Sequence, residues 1–335
     1  MKCKRTVLPL LGTAFEPGRL ADTLNEFEDE ELAEIAQAEA YFFSAQAEAC
    51  VKIVEKYLNS EDVILRMSAD MLYTFANLTL GDAMSAQMAR EDVHICLKKA
   101  FEDEIDLETQ ASCLFALYVI SVLIHIPPEK EMPLLSDYLR YLPEGQRLFA
   151  MNLLAHGAYL NQEYAKGQGM AQTAMMMAEK MYPIPFIYLN CVNAMCQINQ
   201  KDQEGARESV IRAWEIARQD KLLEPFIEHH GLLQGVLEVW VKQREPYVYK
   251  KMMDGVIAFS RGWMKIHNPE MQKAVTDLLT PVEFSIAMLA CRDWTNQEIA
   301  EHMGLSVNTV KHYVSTILEK LQIDKRDEIK EFVNQ

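Results

Sequence analysis

Chain breakers are scarce in this sequence. Its 335 residues include only 13 Gly and 12 Pro, too few for a protein built from many short strands and tight turns. Cationic residues are short as well: 33 Lys and Arg stand against 49 Asp and Glu, a net charge of −16. That balance excludes a protein that coats nucleic acid through charge alone. No apolar run approaches the roughly 18–20 residues that cross a bilayer as a helix. The short apolar stretch near the N-terminus is interrupted by Pro9, so no secretion signal is expected. The chain is read as cytoplasmic, without a membrane partner.

The motifs of catalysis are also missing. There is no H-E-x-x-H and no G-x-x-x-x-G-K-[ST], so neither a zincin site nor a phosphate cradle of that type is expected. The seven cysteines, Cys3, Cys50, Cys96, Cys113, Cys191, Cys196 and Cys291, are dispersed and include no C-x-x-C. They read as buried free thiols of a reducing compartment. His229 and His230 are neighbours on one predicted helix and must point apart, with no third ligand at hand. No enzyme activity, cofactor or metal is expected.

What is present is amphipathic helix. After an irregular lead-in over 1–24, with Pro9, Gly12, Pro17 and Gly18, three- and four-residue apolar spacing continues to 267. The pattern predicts helices near 28–43, 45–58, 62–79, 83–102, 107–124, 128–142, 146–161 and 163–181. Four more follow near 185–199, 202–219, 222–242 and 246–265. Gly81, Pro127-Pro128, Pro143, Pro183, Pro185 and Pro246 mark the breaks. Met170, Met175, Met176 and Met177 offer an adaptable binding face, with core filling the leading expectation. Small residues recur at a period of 39: Ala155 with Ala194, Ala174 with Ala213, Ala178 with Ala217. Such a period indicates stacked helical hairpins over 25–267. Ala at the crossings lets paired helices approach to about 8–9 Å. The segments at 155–160 and 205–214 resemble tetratricopeptide-like repeats, and the array resembles the superhelix of large ATP-dependent regulators typified by the maltose-regulon activator. Their ATPase motif is absent here. In such a fold Asn77, Asn152, Tyr159, Asn190 and Asn193 would line a groove for a peptide, small-molecule or protein effector.

A linker is expected over 268–278, and a different pattern over 279–335. Thr280 with Glu283, and Thr295 with Glu298, have capping-box spacing. Gly304 falls where one short helix must stop and the chain reverse, and Ser306 can cap the next. In that second helix Val310, Tyr313, Val314, Ile317 and Leu321 share one face, while Asn308, Lys311, His312, Ser315 and Glu319 share the other. A helix from 307 to 320 is roughly 21 Å long and fits a DNA major groove about 12 Å wide. A further helix, near 326–333, would close the domain with Ile329, Phe332 and Val333.

These residues carry a specific resemblance. The segments 279–283, 296–300, 304–306, 309–311 and 317–321 together resemble the LuxR-type helix-turn-helix of bacterial transcription regulators, in order and without insertion. The resemblance implies an all-α chain: a tetratricopeptide-like solenoid followed by a four-helix DNA-binding domain. It implies that Lys311, His312 and Ser315 face base edges. Thr295, Asn296, Asn308, Thr309 and Lys320 become candidates for phosphate contacts. Val282 and Phe284 stand where relatives often have Arg. The stretch 279–335 holds six basic and nine acidic residues, a balance of −3, leaving −13 for residues 1–278. With three or four phosphates neutralised per copy, binding should vary with salt with a slope of roughly −3. A homodimer on two-fold DNA is therefore expected. The leading expectation is a DNA-binding transcription regulator whose superhelix senses a ligand or partner. The alternative is an interaction adaptor whose acidic helix-turn-helix no longer binds DNA.

Overall fold

Aspartates open five of the long helices. Asp29, Asp62, Asp82, Asp106 and Asp202 each accept from a backbone N–H of the first turn that follows, donors that would otherwise lack partners. The structure is a computed structural model and describes residues 5–103, 105–126, 132–267 and 279–330. It is all α-helical, with no strand among the described residues.

The helices are α1 (Leu20–Leu24), α2 (Glu30–Phe43), α3 (Ala47–Val54), α4 (Val63–Leu80), α5 (Ala83–Glu102) and α6 (Leu107–Leu123). Then come α7 (Leu135–Tyr138), α8 (Glu144–Leu160), α9 (Tyr164–Met177), α10 (Pro183–Asn199), α11 (Gln203–Asp220), α12 (Glu224–Leu233), α13 (Val236–Arg244) and α14 (Pro246–His267). The C-terminal domain has α15 (Pro281–Cys291), α16 (Asn296–Met303) and α17 (Val307–Leu321), with a 3-10 turn at Arg326–Glu328.

Consecutive helices pair as hairpins, with α4, α6, α8 and α10 forming an inner layer that is buried almost all round. The repeat alanines Ala155, Ala174, Ala194, Ala213 and Ala217 are buried at the crossings. Between α8 and α9 the approach is close enough to require glycine: a Cβ on Gly167 would lie 2.8 Å from the Ala155 carbonyl oxygen. The array turns back on itself. Helix α14 packs against α4, where a Cβ on Gly262 would lie 1.9 Å from the Leu78 carbonyl oxygen, and Lys265 Nζ donates to Gly81 O at 3.1 Å.

Residues 5–19 form no helix, yet they are core. Val7, Leu8, Leu10 and Leu11 are buried across α2, α4 and α8. Leu8 N donates to Ser68 Oγ, Gln146 Nε2 donates to Val7 O, and the amides of Leu10 and Leu11 donate to Glu39 at 2.8 and 2.9 Å. Burial pushes the Glu39 carboxyl up to about 8, against the two amides that favour its ionised form.

Several boundaries differ from the sequence pattern. The helix expected over 222–242 is two, because Gln234 and Gly235 have φ of 46° and 89°. The helix expected over 163–181 ends at Met177, which leaves Met176 and Met177 exposed instead of in the core. Of the helix expected over 128–142, only α7 and a 3-10 turn at Leu139–Tyr141 are helical among the described residues. The Pro127-Pro128 break, the 268–278 linker, Cys3, Phe332 and Val333 lie outside the described residues. The other six cysteines are buried free thiols.

Candidate nucleic-acid interface

Both capping boxes of the C-terminal domain form. Thr280 Oγ1 accepts from Glu283 N at 3.3 Å, and Glu283 Oε2 accepts from Thr280 N at 2.7 Å. Thr295 and Glu298 repeat the arrangement at 3.2 and 2.7 Å. Gly304 ends α16 with φ 63°, and Ser306 Oγ accepts from Thr309 N at 3.1 Å to start α17. The result is a helix, a turn and a second helix whose faces differ. Val310, Ile317 and Leu321 are buried, Tyr313 and Val314 partly so, and Asn308, Lys311, His312, Ser315 and Glu319 are exposed.

Lys311, His312 and Ser315 therefore share the open face of α17. Lys311 has no ion-pair partner among the described residues, so its ammonium is available to a ligand. Asn308 and Thr295 are exposed, the latter as a cap. Thr309 bonds Ser306 through their hydroxyls at 2.7 Å. Asn296 Oδ1 accepts from Arg326 Nη1 at 2.6 Å. Lys320 turns inward and donates to both oxygens of Glu283 at 2.7 and 2.8 Å. Burial works to raise the Glu283 carboxyl, but Lys320 and the Thr280 donors hold it below its ordinary range.

The domain is docked on the superhelix through α15 and α16. Lys201, in the α10–α11 turn, pairs with Glu298 at 2.7 Å and lies 5.9 Å from the ring centre of Trp294. Lys201 and the Thr295 cap hold the Glu298 carboxyl down to about 2. His302 Nε2 bonds the Gln234 carbonyl at 2.7 Å. A Cβ on Gly231 would lie 2.5 Å from the Phe284 ring, and one on Gly235 would lie 1.8 Å from Met303 Sδ. Arg292 donates to the Tyr159 hydroxyl. The polar partners of α17 side chains, by contrast, lie inside its own domain.

Of the five residues expected along a groove, Tyr159 is at this domain contact. The other four are buried within the superhelix. Asn77 donates to Tyr73 O, Asn190 to Phe186 O, and Asn193 to Ser209 Oγ, while the Asn152 amide has no hydrogen-bond partner among the described residues. The docking residues were not legible in the sequence, because partners such as Lys201 and Glu298 are 97 positions apart. The one local signal was Gly231 with Gly235, two glycines four apart inside an apolar helical pattern.

Comparison with known proteins fits this geometry. Residues 277–333 match the family described as bacterial regulatory proteins, luxR family. Curated relatives include the response regulator protein VraR of Staphylococcus saprophyticus, 38% identical over 64 residues, covering 19% of this chain and 31% of the relative. VraR of Staphylococcus aureus is 34% identical over 86 residues, covering 23% of this chain and 41% of the relative. The chain thus spans less than half the length of these relatives. No solved structure matches the chain, and no described helix is long and apolar enough to cross a membrane. The C-terminal segment, with its two capping boxes and open α17 face, is a LuxR-family helix-turn-helix domain.

Proposed function

We propose that this protein is a sequence-specific DNA-binding transcription regulator, and that its superhelix governs when the C-terminal domain is free to bind. The observation that carries the reading is the division of labour within the domain. Helices α15 and α16 are held by the superhelix, while Lys311, His312 and Ser315 stay exposed on α17. Lys can donate to guanine N7 and O6 from such a helix, and Ser can pair with several base edges. Asn308, Thr309 and Thr295 stand where they can reach phosphates and set register. Two copies bind together on a two-fold site, since one acidic domain has too few free cations to hold DNA alone.

Selection of bound sequences from a random duplex pool tests this, with the full chain and with Lys311→Ala. The expected result is a selected motif with the wild-type chain and, for Lys311→Ala, affinity for that motif weaker by about tenfold or more at unchanged thermal stability. Selection of no sequence by the full chain at low salt, or of the same motif at the same affinity by Lys311→Ala, would sink the proposal. The first of these outcomes favours an interaction adaptor.

A further inference from the structure

The superhelix and the DNA-binding domain enclose a cleft of about 930 Å³. This is at the upper end of the roughly 300–1,000 Å³ of small-molecule sites. Both bodies wall it: His156 and Tyr159 from α8, Glu228 and His229 from α12, Trp263 from α14, and Phe284, Met288 and Arg292 from α15 or its end.

Its polar groups are short of partners. His156 and His229 are each 1% exposed, yet both ring nitrogens of His156 and Nε2 of His229 have no hydrogen bond among the described residues. Glu228 Oε1 and Arg292 Nη1 are likewise buried and without partners among the described residues. Buried polar atoms normally find partners. Five such atoms in the lining of one cleft, without partners among the described residues, are groups that a bound molecule would satisfy.

The donor and acceptor pattern says what kind of molecule. Arg292 spends Nη2 on the Tyr159 hydroxyl and has no carboxylate partner among the described residues. Its free Nη1 calls for an anion. His229 Nδ1 bonds the Pro225 carbonyl at 2.8 Å, so Nδ1 carries the proton and Nε2 is an acceptor. It needs an O–H or N–H from the ligand. Burial pushes His229 down to about 4 and His156 well below its ordinary value, so both rings are neutral. Burial also pushes the Glu228 carboxyl up, which weakens its repulsion of an anion, and its other oxygen accepts from Tyr188 at 2.5 Å. Phe284, Met288 and the neighbouring Trp263 offer an apolar wall.

We propose that this interdomain cleft binds a small amphiphilic organic acid. Its carboxylate pairs with Arg292, its apolar body lies against Phe284 and Met288, and its hydroxyl or N–H is received by His229. A ligand on the order of 10–20 non-hydrogen atoms fits a cleft of this size. It touches α8 and α12 on one side and α15 on the other, so binding ties the two bodies together and shifts the docking equilibrium by its differential affinity. As binding the proposal stands alone. As regulation it rests on the DNA-binding reading above.

Calorimetric titration of the full chain with two probes tests it: 3-(4-hydroxyphenyl)propionate and indole-3-acetate. At least one should bind saturably, with the matching primary amide weaker by about tenfold or more. Arg292→Met should remove that preference for the acid over the amide. Tyr159→Phe, which loses the same interdomain hydrogen bond but keeps the charge, should retain it and guards against a folding defect. No saturable binding by any probe up to about 10 mM, or an acid preference unchanged in Arg292→Met, overturns the proposal. Binding without any selected DNA motif would sink the regulator reading and leave the site standing. A motif lost with Lys311→Ala but no acid bound would do the reverse.

Discussion

At the scale of single residues, two lysines on one helix have opposite duties. Lys311 is exposed and has no ion-pair partner among the described residues, whereas Lys320 sits over a buried Glu283. Lys320→Ala leaves that carboxylate with fewer donors and should cost about 1–3 kcal/mol of domain stability; Lys311→Ala should cost none. Chemical denaturation of both variants, followed by α-helical signal, separates them. The pH dependence has a fixed sign. Glu283 is held below its ordinary range, so its contribution is fully present above that range and is lost as pH falls through the lowered value. Glu283→Gln should therefore show a shallower stability loss on acidification below the ordinary value of 4.5. Sequence spacing revealed the capping role of Glu283, because a box needs only residues three apart. The Lys320 pairing was hidden, because it spans 37 positions and depends on how α17 crosses α15.

Helix identities were legible wherever a local cause set them. Helix α5 runs over the span its apolar pattern predicts, and α14 starts at its Pro. The α12–α13 break was not legible, because Gly235 permits a break there without demanding one. It is imposed from outside: the Gln234 carbonyl receives His302, and Gly235 makes room for Met303. The two turn glycines of this region should then respond differently. Gly304→Ala places a Cβ where nothing lies within 4 Å, and should cost only the left-handed backbone penalty of about 1 kcal/mol. Gly235→Ala adds the same penalty and drives a Cβ into Met303 Sδ, so α16 should detach from α13. Hydrogen exchange followed by mass spectrometry reads this directly. Faster exchange over 224–244 and 296–303 is expected in Gly235→Ala, with the same segments unchanged in Gly304→Ala. Equal protection in both would show that the docking contact does not depend on Gly235.

For the whole molecule, charge decides how DNA is held. Residues 1–278 carry −13 and the domain −3, so the docked superhelix adds repulsion to a surface that already attracts weakly. The structure lowers the count of useful cations further. Lys320 is paired with Glu283, Lys330 with Asp293, Arg326 is bound to Asn296 and the Trp294 carbonyl, and Arg292 to Tyr159. Lys311 and Lys325 are left with ammonium groups that none of the described residues engages. Each phosphate neutralised contributes about −0.9 to the slope of log affinity against log salt. One copy should thus give roughly −2, below the −3 that composition alone implied, and a pair on two-fold DNA roughly −4. Fluorescence anisotropy of a labelled selected site, across salt concentrations and with both half-sites or one, measures both values. A slope near −2 for the full site would mean that a single copy suffices. A slope steeper than about −6 would mean that Arg292, Lys320 or Lys330 leave their present partners on binding, and so that the domain reaches DNA only after coming away from the superhelix.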